Sequence, residues 1–256
     1  MLLGKAGQAG WSVTVEGDKS KLETEAIAAC DAVLVNGEGT MHSAQRRAAH
    51  LMGVLAHAQE AGKRTVLCNT CWFGMGEGFA ETIRRLDYVS VRDPESAALM
   101  QRETGRTPEL HIDLSFWQPA TPAAQRTTPV LATDFYSREF GCFVEPKGGA
   151  MAALPKLDMR ATSWAQSVAA ISGAGFFVTG RFHGMMIALK TRTPFVAFPG
   201  NTRKVESLLD WLEGSRLVVT DYKRLRTYAR GPARDEAYYD ALFDRAHAQP
   251  EWAFPL

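Results

Sequence analysis

Short apolar runs, each closed by polar or glycine positions, alternate along this chain with longer segments whose apolar residues recur three and four apart. The short runs predict strands at 11–15 (WSVTV), 31–36 (DAVLVN), 64–69 (RTVLCN), 88–92 (YVSVR) and 109–112 (ELHI). Their β-branched and large apolar side chains suit a pleated, buried surface. The longer segments predict helices over 22–29, 43–61, 79–86 and 95–104. Within 43–61, Ala44, Ala48, Leu51, Met52 and Leu55 fall on one helical face, and Gly62 stands where the helix would stop. Asp93-Pro94-Glu95 has the form of a helix start, an acceptor side chain followed by a proline in the first turn. Strands alternating with helices in this way predict an α/β fold built on parallel sheets.

The texture changes over 116–129 (FWQPATPAAQRTTP), which is rich in proline and threonine without periodicity, as a linker would be. Beyond it the pattern predicts a strand at 129–135 (PVLATDF), an irregular stretch over 136–155 and a helix at 163–172. Strands at 176–178 and 195–198 are each followed by a helix, then come a late strand in 216–220 (RLVVT) and a closing helix over 235–247. Two α/β lobes are therefore expected, 1–118 and 119–256, with a cleft between them.

Composition narrows the function classes. The 256 residues are 46% hydrophobic and 22% charged, ordinary for a globular protein with one large or two medium cores. A formal net charge of +1 provides no global field for nucleic acid or an anionic membrane, so any anion site must be local. No apolar run reaches the roughly 18 residues of a spanning helix. The opening MLLGKAGQAGW has no sustained apolar core, so it makes a poor signal peptide. Four cysteines, at 30, 68, 71 and 142, argue against a disulfide scaffold and for a cytoplasmic setting. Cys68-x-x-Cys71 has no second pair at zinc-like spacing and reads first as two small apolar residues at a strand end; a redox or half-zinc role is the alternative. No metal-ligand cluster and no basic-aromatic interleaving stand out, so neither a metal nor nucleic acid is expected.

Candidate chemistry gathers where strands run into helices. The run Phe176 to Val178 ends in Thr179-Gly180, followed by Arg181 and His183; the run Phe195 to Phe198 ends in Pro199-Gly200, followed by Asn201, Thr202, Arg203 and Lys204. In open parallel sheets ligands bind beyond the carboxyl ends of the strands, where glycine lets the backbone approach and helix N-termini offer unpaired N–H groups. Arg181 and His183 there make a cradle for phosphate or carboxylate, with the arginine supplying a bidentate fork. The alternative is that Arg181 caps a neighbouring element and His183 is an ordinary core ring. In the first half, Val33 to Val35 runs into Asn36-Gly37-Glu38-Gly39-Thr40, with His42 and Ser43 next; Thr40 and Ser43 offer helix-capping hydroxyls. Glu38 suits a sugar hydroxyl or an acid/base role better than a phosphate. Arg92 closes 88–92 beside Asp93, facing a ligand or forming a surface salt bridge, and Asp113 faces the cleft or caps a turn.

Together DAVLVNGEGTMH, YVSVRDPESAALM, HIDLSF and above all GRFHGMMIALKTRTPFVAFPGNTRKVESLL, in this order across roughly residues 30 to 215, resemble the polysaccharide pyruvyl transferase family. The resemblance implies two Rossmann-like lobes in a glycosyltransferase-B-like arrangement, the N-terminal lobe on the acceptor side and the C-terminal lobe binding the donor. It implies transfer of a pyruvyl group from phosphoenolpyruvate, a co-substrate rather than a cofactor, to two hydroxyls of a saccharide or lipid-linked oligosaccharide. A cyclic ketal forms, in surface polysaccharide or glycoconjugate biosynthesis. On this reading His183, Arg181 and Glu38 are catalytic, and Arg92, Arg181, His183, Asn201, Thr202 and Lys204 bind the donor. Gly37, Glu38, Gly39, Thr40 and His42 attend the acceptor. Relatives usually begin with a strand and a Gly- and Asn-rich turn before the part seen here, so the first lobe is expected to lack its N-terminal strand. GEGT replaces a Gly-Gly-Gly-Ser type turn, and HID a Pro-Asp. The competing readings are a glycosyltransferase of the same architecture using a nucleotide-activated sugar, whose base pocket 142–156 does not display, and a non-catalytic relative.

Overall fold

The computed structural model describes residues 12, 24–145, 152–221, 224–231 and 235–253. The fold is mixed α/β with parallel sheets, in two compact units: Met1–Leu114 with Pro250–Leu256, and Ser115–Gln249.

In the first unit the described elements are α1 (Thr24–Ala29), β1 (Ala32–Asn36), α2 (Arg46–Glu60), β2 (Arg64–Thr70), α3 (Ala80–Arg84), β3 (Tyr88–Val91), α4 (Pro94–Thr104) and β4 (Glu109–Leu110). The strands form one parallel sheet in the order β1-β2-β3-β4. Leu51, Met52 and Leu55 of α2 pack with Val35, Leu67, Val89 and Met100 into one buried cluster. The helical face read from the sequence is therefore the one that meets the sheet. Asp93 caps α4 as expected, accepting from Ser96 N at 2.9 Å, and Gly105 closes the helix with φ 75°. Helix α2 starts later than expected, at Arg46. Ser43 and Ala44 are held in the left-handed region at φ 55° and 42°, because Ser43 N is tied to Phe73 O at 2.6 Å. Neither Ser43 nor Thr40 caps the helix: its N-cap is Gln45, and the Thr40 hydroxyl donates to Glu38 O at 3.1 Å. The strand expected over 11–15 lies, apart from Ser12, outside the described residues, as does the question of an earlier strand. The linker-to-closing-helix pattern does not signal that Trp252 belongs to this unit. Its ring is buried with Val66, Cys68 and Leu114, and its Nε1 donates to the Tyr88 hydroxyl at 3.0 Å.

In the second unit β5 (Thr128–Ala132), β8 (Ala174–Thr179) and β9 (Phe195–Ala197) form a parallel sheet in the order β5-β8-β9, while β6 (Phe135–Ser137) and β7 (Cys142–Val144) form an antiparallel hairpin. Around them lie α5 (Trp164–Ser172), α6 (Phe182–Lys190), α7 (Lys204–Trp211), α8 (Leu225–Tyr228) and α9 (Glu236–His247). Gly184 lets α6 lie close against β8, since a Cβ there would meet Thr179 Oγ1 at 2.8 Å and Phe177 Cε1 at 3.2 Å. Three expectations change. The run 129–135 is not one strand: β5 ends at Ala132, and Phe135 starts the hairpin. The stretch from 136 is not irregular at its start, because Tyr136 and Phe143 pair across that hairpin; residues 146–151 lie outside the described set. RLVVT is not a strand but a 3-10 turn (Ser215–Leu217) with a single bridge from Val218 to Ala197. Val218 N is spent on Ser215 O at 3.0 Å, leaving Val219 N, bonded to Ala197 O at 2.9 Å, to reach the sheet.

Candidate functional site

Each parallel sheet gathers polar groups at its carboxyl end. In the second unit the exits of the neighbouring strands β5 and β8 are laced together. The hydroxyls of Thr133 and Thr179 lie 3.1 Å apart, Gly180 N donates to Thr133 Oγ1 at 3.1 Å, and Arg181 N donates to Thr179 Oγ1 at 2.9 Å. Gly180 is required by close approach rather than by φ: a Cβ would stand 2.5 Å from Asp134 O and 2.6 Å from Phe135 Cα. Across this junction the Asp134 carboxylate takes the side-on edge of the Arg181 guanidinium, Nε to Oδ1 at 2.7 Å and Nη2 to Oδ2 at 2.5 Å. The Phe143 ring lies over the guanidinium, 3.6 Å from Cζ to the ring centre. The fork expected at Arg181 is thus partly spent. Its end-on edge, Nη1 with the second Nη2 hydrogen, is the one left by this pairing.

Arg181 is also the N-cap residue of α6, and His183, half-buried, is the second residue of that helix, edge-on to Phe182 at 5.7 Å. Lys204 opens α7; its Nζ donates to Asn201 Oδ1 at 3.2 Å and stands 5.9 Å above the Phe182 ring. The two strand-to-helix turns therefore meet at Phe182, with Phe198 N bonded to Thr179 O at 2.8 Å beneath them. Asn201 is exposed and Thr202 half-buried on the second turn.

In the first unit a chain of amides surrounds Glu38. Asn36 Oδ1 accepts from Glu38 N and from Asn69 Nδ2, both at 3.3 Å, and Asn36 Nδ2 donates to Glu38 Oε2 at 3.5 Å. Asn69 Oδ1 in turn accepts from Leu114 N at 3.1 Å. Asn69 is left-handed, φ 54°, inside a strand whose pairing with β3 shifts register between Leu67 and Thr70. Asparagine tolerates this conformation at less cost than most residues, and such outliers recur at functional sites. Gly37 is pressed against Thr70, where a Cβ would lie 2.3 Å from Oγ1. Gly39 is exposed at φ 60°, Thr40 is half-buried, and His42 is buried beside Phe73, to which it is bridged.

In place of the surface salt bridge read for Arg92, the structure has a buried pair. Arg92 forms an ion pair with Asp113, through Nη1 and Oδ2, with side chains only 2% and 1% exposed. Burial alone would lower the guanidinium pKa. Asp113 outweighs it, helped by Cys71 and Glu38, so the net direction is upward and the charge is permanent. Asp93 instead serves α4. Burial pushes the Cys68 thiol up to about 12, which leaves it protonated and unreactive, and Cys71 is equally buried with its thiol toward Met41 O at 3.9 Å. The cysteine pair thus fits the reading as small apolar residues. Among the described residues no group of three or more His, Cys, Asp or Glu could hold a metal ion, and no helix is long and apolar enough to cross a membrane.

Sequence reasoning passed over Asp134, Phe143 and Asn69. Asp134 and Phe143 sat in a predicted strand and a predicted irregular stretch, and Asn69 in an apolar run; none carries a local signal for its contacts.

Comparison with known proteins gives one family match, to a model described as polysaccharide pyruvyl transferase, over residues 5–202. No curated protein matches. Among solved structures, a functionally uncharacterized protein from Klebsiella pneumoniae subsp. pneumoniae NTUH-K2044 is similar, with 11% identity, 84% of each chain covered and a TM-score of 0.48.

Proposed function

The chain belongs to the polysaccharide pyruvyl transferase family, and on that premise we propose that it moves the pyruvyl group of phosphoenolpyruvate onto two hydroxyls of a saccharide acceptor, as a ketal. The observation that carries this reading beyond family membership is the placement of Arg181, His183 and Lys204 on the two neighbouring turns after β8 and β9, which border Phe182. A donor with both a phosphate and a carboxylate calls for several cationic groups at one sheet end.

The enol methylene takes one proton and becomes a methyl group; its neighbouring carbon forms two C–O bonds to the acceptor oxygens as the bond to the phosphate oxygen breaks. The two hydroxyl protons end on the methyl group and on the departing phosphate. His183, on the turn after β8, is assigned as general acid to the methylene. Arg181 and Lys204 meet the phosphate and carboxylate oxygens, with Asn201 and Thr202 as neutral partners on the same turn. Glu38, oriented by Asn36, is assigned to an acceptor hydroxyl, with Gly37, Gly39, Thr40 and His42 forming the backbone and side chains around it. Arg92, enclosed with Asp113, supplies fixed positive charge near Glu38 rather than a contact with the donor. We assign Rossmann-like lobes to the two units, a lipid-linked or polymeric saccharide to the acceptor role, and the cytoplasm as the compartment.

Calorimetric titration of the full chain with phosphoenolpyruvate, with CMP and UDP as controls, tests the reading. Saturable binding of phosphoenolpyruvate that is lost in Arg181→Ala, together with phosphate release that is lost in His183→Ala, is expected. Preference for a nucleotide would replace this reading with a glycosyltransferase, and normal turnover in both variants would remove these residues from the site.

A further inference from the structure

We propose that Asp134 and Phe143 are positioning residues that hold the Arg181 guanidinium so that its end-on edge, Nη1 with the second Nη2 hydrogen, is offered to two oxygens of one anionic group. The proposal rests on the reading of Arg181 as a donor-binding residue. A carboxylate beside a guanidinium that has to attract an anion is at first sight counterproductive, because it cancels much of the attracting charge. It becomes useful if orientation matters more than net charge, as it does where a reacting group must be held to within a fraction of an ångström.

The geometry has the features of a clamp. Both anchoring backbones are fixed to each other: Gly180 N is bonded to Thr133 Oγ1 at 3.1 Å and to Asp134 O at 3.2 Å, in a space that excludes even a methyl group on Gly180. Asp134 then holds the side-on edge through two hydrogen bonds, at 2.7 and 2.5 Å, which fixes the plane of the guanidinium as well as its position. Phe143 lies over the flat face at 3.6 Å, and its own ring is steadied by Tyr136 across the hairpin at 5.5 Å. The pair is only partly exposed, 21% at Arg181 and 11% at Asp134, so it is neither a loose surface bridge nor a sealed core pair. With one edge and one face taken, the guanidinium has a single remaining edge, whose two N–H groups match the spacing of two phosphate or carboxylate oxygens. A lysine at 181 could supply the charge but neither the plane nor the second edge.

The test uses the full chain as wild type, Asp134→Asn, Asp134→Glu and Phe143→Leu, each confirmed as folded by circular dichroism. Phenylglyoxal labelling of Arg181, followed by peptide mass spectrometry, reads the clamp without reference to activity. Loss of the carboxylate in Asp134→Asn should speed labelling by about five-fold, with Asp134→Glu close to wild type. Steady-state turnover reads the consequence: Asp134→Asn should raise the KM for phosphoenolpyruvate by about ten-fold with kcat changed by less than about three-fold, and Asp134→Glu should recover most of the loss. A purely structural pair would instead lower the melting temperature and the active fraction, moving kcat and leaving KM alone. Unchanged labelling and unchanged KM in folded Asp134→Asn would overturn the proposal. If that variant does not fold, Phe143→Leu decides, by a KM raised about three-fold or a KM unchanged. A wild type that neither binds nor turns over phosphoenolpyruvate refutes the functional reading, while the labelling still reports whether Asp134 holds Arg181.

Discussion

Replacing Asp113 with alanine should cost the first unit a large part of its stability, and a second substitution at Arg92 should restore it. The pair is enclosed, at 2% and 1% side-chain exposure, so Asp113→Ala takes the Asp113 carboxylate away from a guanidinium held in the interior. Arginine cannot escape by losing its proton, and removal of one partner from a buried pair costs about 3–5 kcal/mol. Against a typical total of about 5–15 kcal/mol, that is about a fifth of the stability or more. With a urea m-value of about 2 kcal/mol/M the midpoint falls by about 2 M. Asp93→Ala, one residue from Arg92 in sequence, removes the helix cap and the bond from the Ser96 hydroxyl and should cost less, about 1–2 kcal/mol. The double variant Arg92→Met with Asp113→Leu replaces both charges by apolar groups and should return to within about 1–2 kcal/mol of wild type, because the desolvation of two ions is no longer needed. Urea unfolding followed by hydrogen exchange over peptides spanning β3 and α4 assigns the loss to this unit. A cost for Asp113→Ala below about 1 kcal/mol, the value of an exposed pair, would refute the burial argument. A double variant no better than the sum of its single changes would refute the coupling. Turnover by the restored double variant then separates the two parts of Arg92: activity that returns with the fold makes its role structural, and activity that stays lost makes its charge part of the site.

Gly180→Ala forces a Cβ to within 2.5 Å of a backbone oxygen and should destabilise the second unit by about 1–3 kcal/mol, seen as a melting temperature several degrees lower; Gly53→Ala in α2, with nothing within 4 Å of its Cβ, should raise stability by about 0.5–1 kcal/mol. A fall after Gly53→Ala or no change after Gly180→Ala would contradict the close-approach argument. At pH 8 a thiol reagent should modify exposed Cys142 and spare Cys68, whose thiol is raised from 9.0 to about 12 by burial. Because the folded pKa lies above the unfolded one, the stabilisation from a neutral Cys68 is complete below pH 9.0 and is lost as pH rises toward about 12. Urea midpoints at pH 8 and at pH 10.5 should therefore diverge in wild type and less so in Cys68→Ala, and equal divergence would remove Cys68 as the cause.

The alternation of apolar runs and periodic segments was enough to establish an α/β chain with parallel sheets, the face that α2 buries, and the cap at Asp93. These are local matters: burial of a strand or of one helical face follows side-chain spacing, and a cap needs only a partner within a few residues. The same locality placed the candidate polar residues on strand-to-helix turns, since glycine followed by polar residues after an apolar run marks a turn that needs no distant partner to form. What the chain could not reveal alone is which charges neutralise one another. Arg92 was beside Asp93 in sequence yet pairs with Asp113, 21 residues away, and Arg181 is held by Asp134, 47 residues away. Parallel strands bring the exits of distant segments side by side, so a side chain's partner depends on strand order, here β3 with β4 and β5 with β8. The hairpin that lays Phe143 over Arg181 and the return of Trp252 to Tyr88, 164 residues away, have the same origin. Apolar area is buried wherever the assembled surface offers it, and that surface exists only after the sheets have formed.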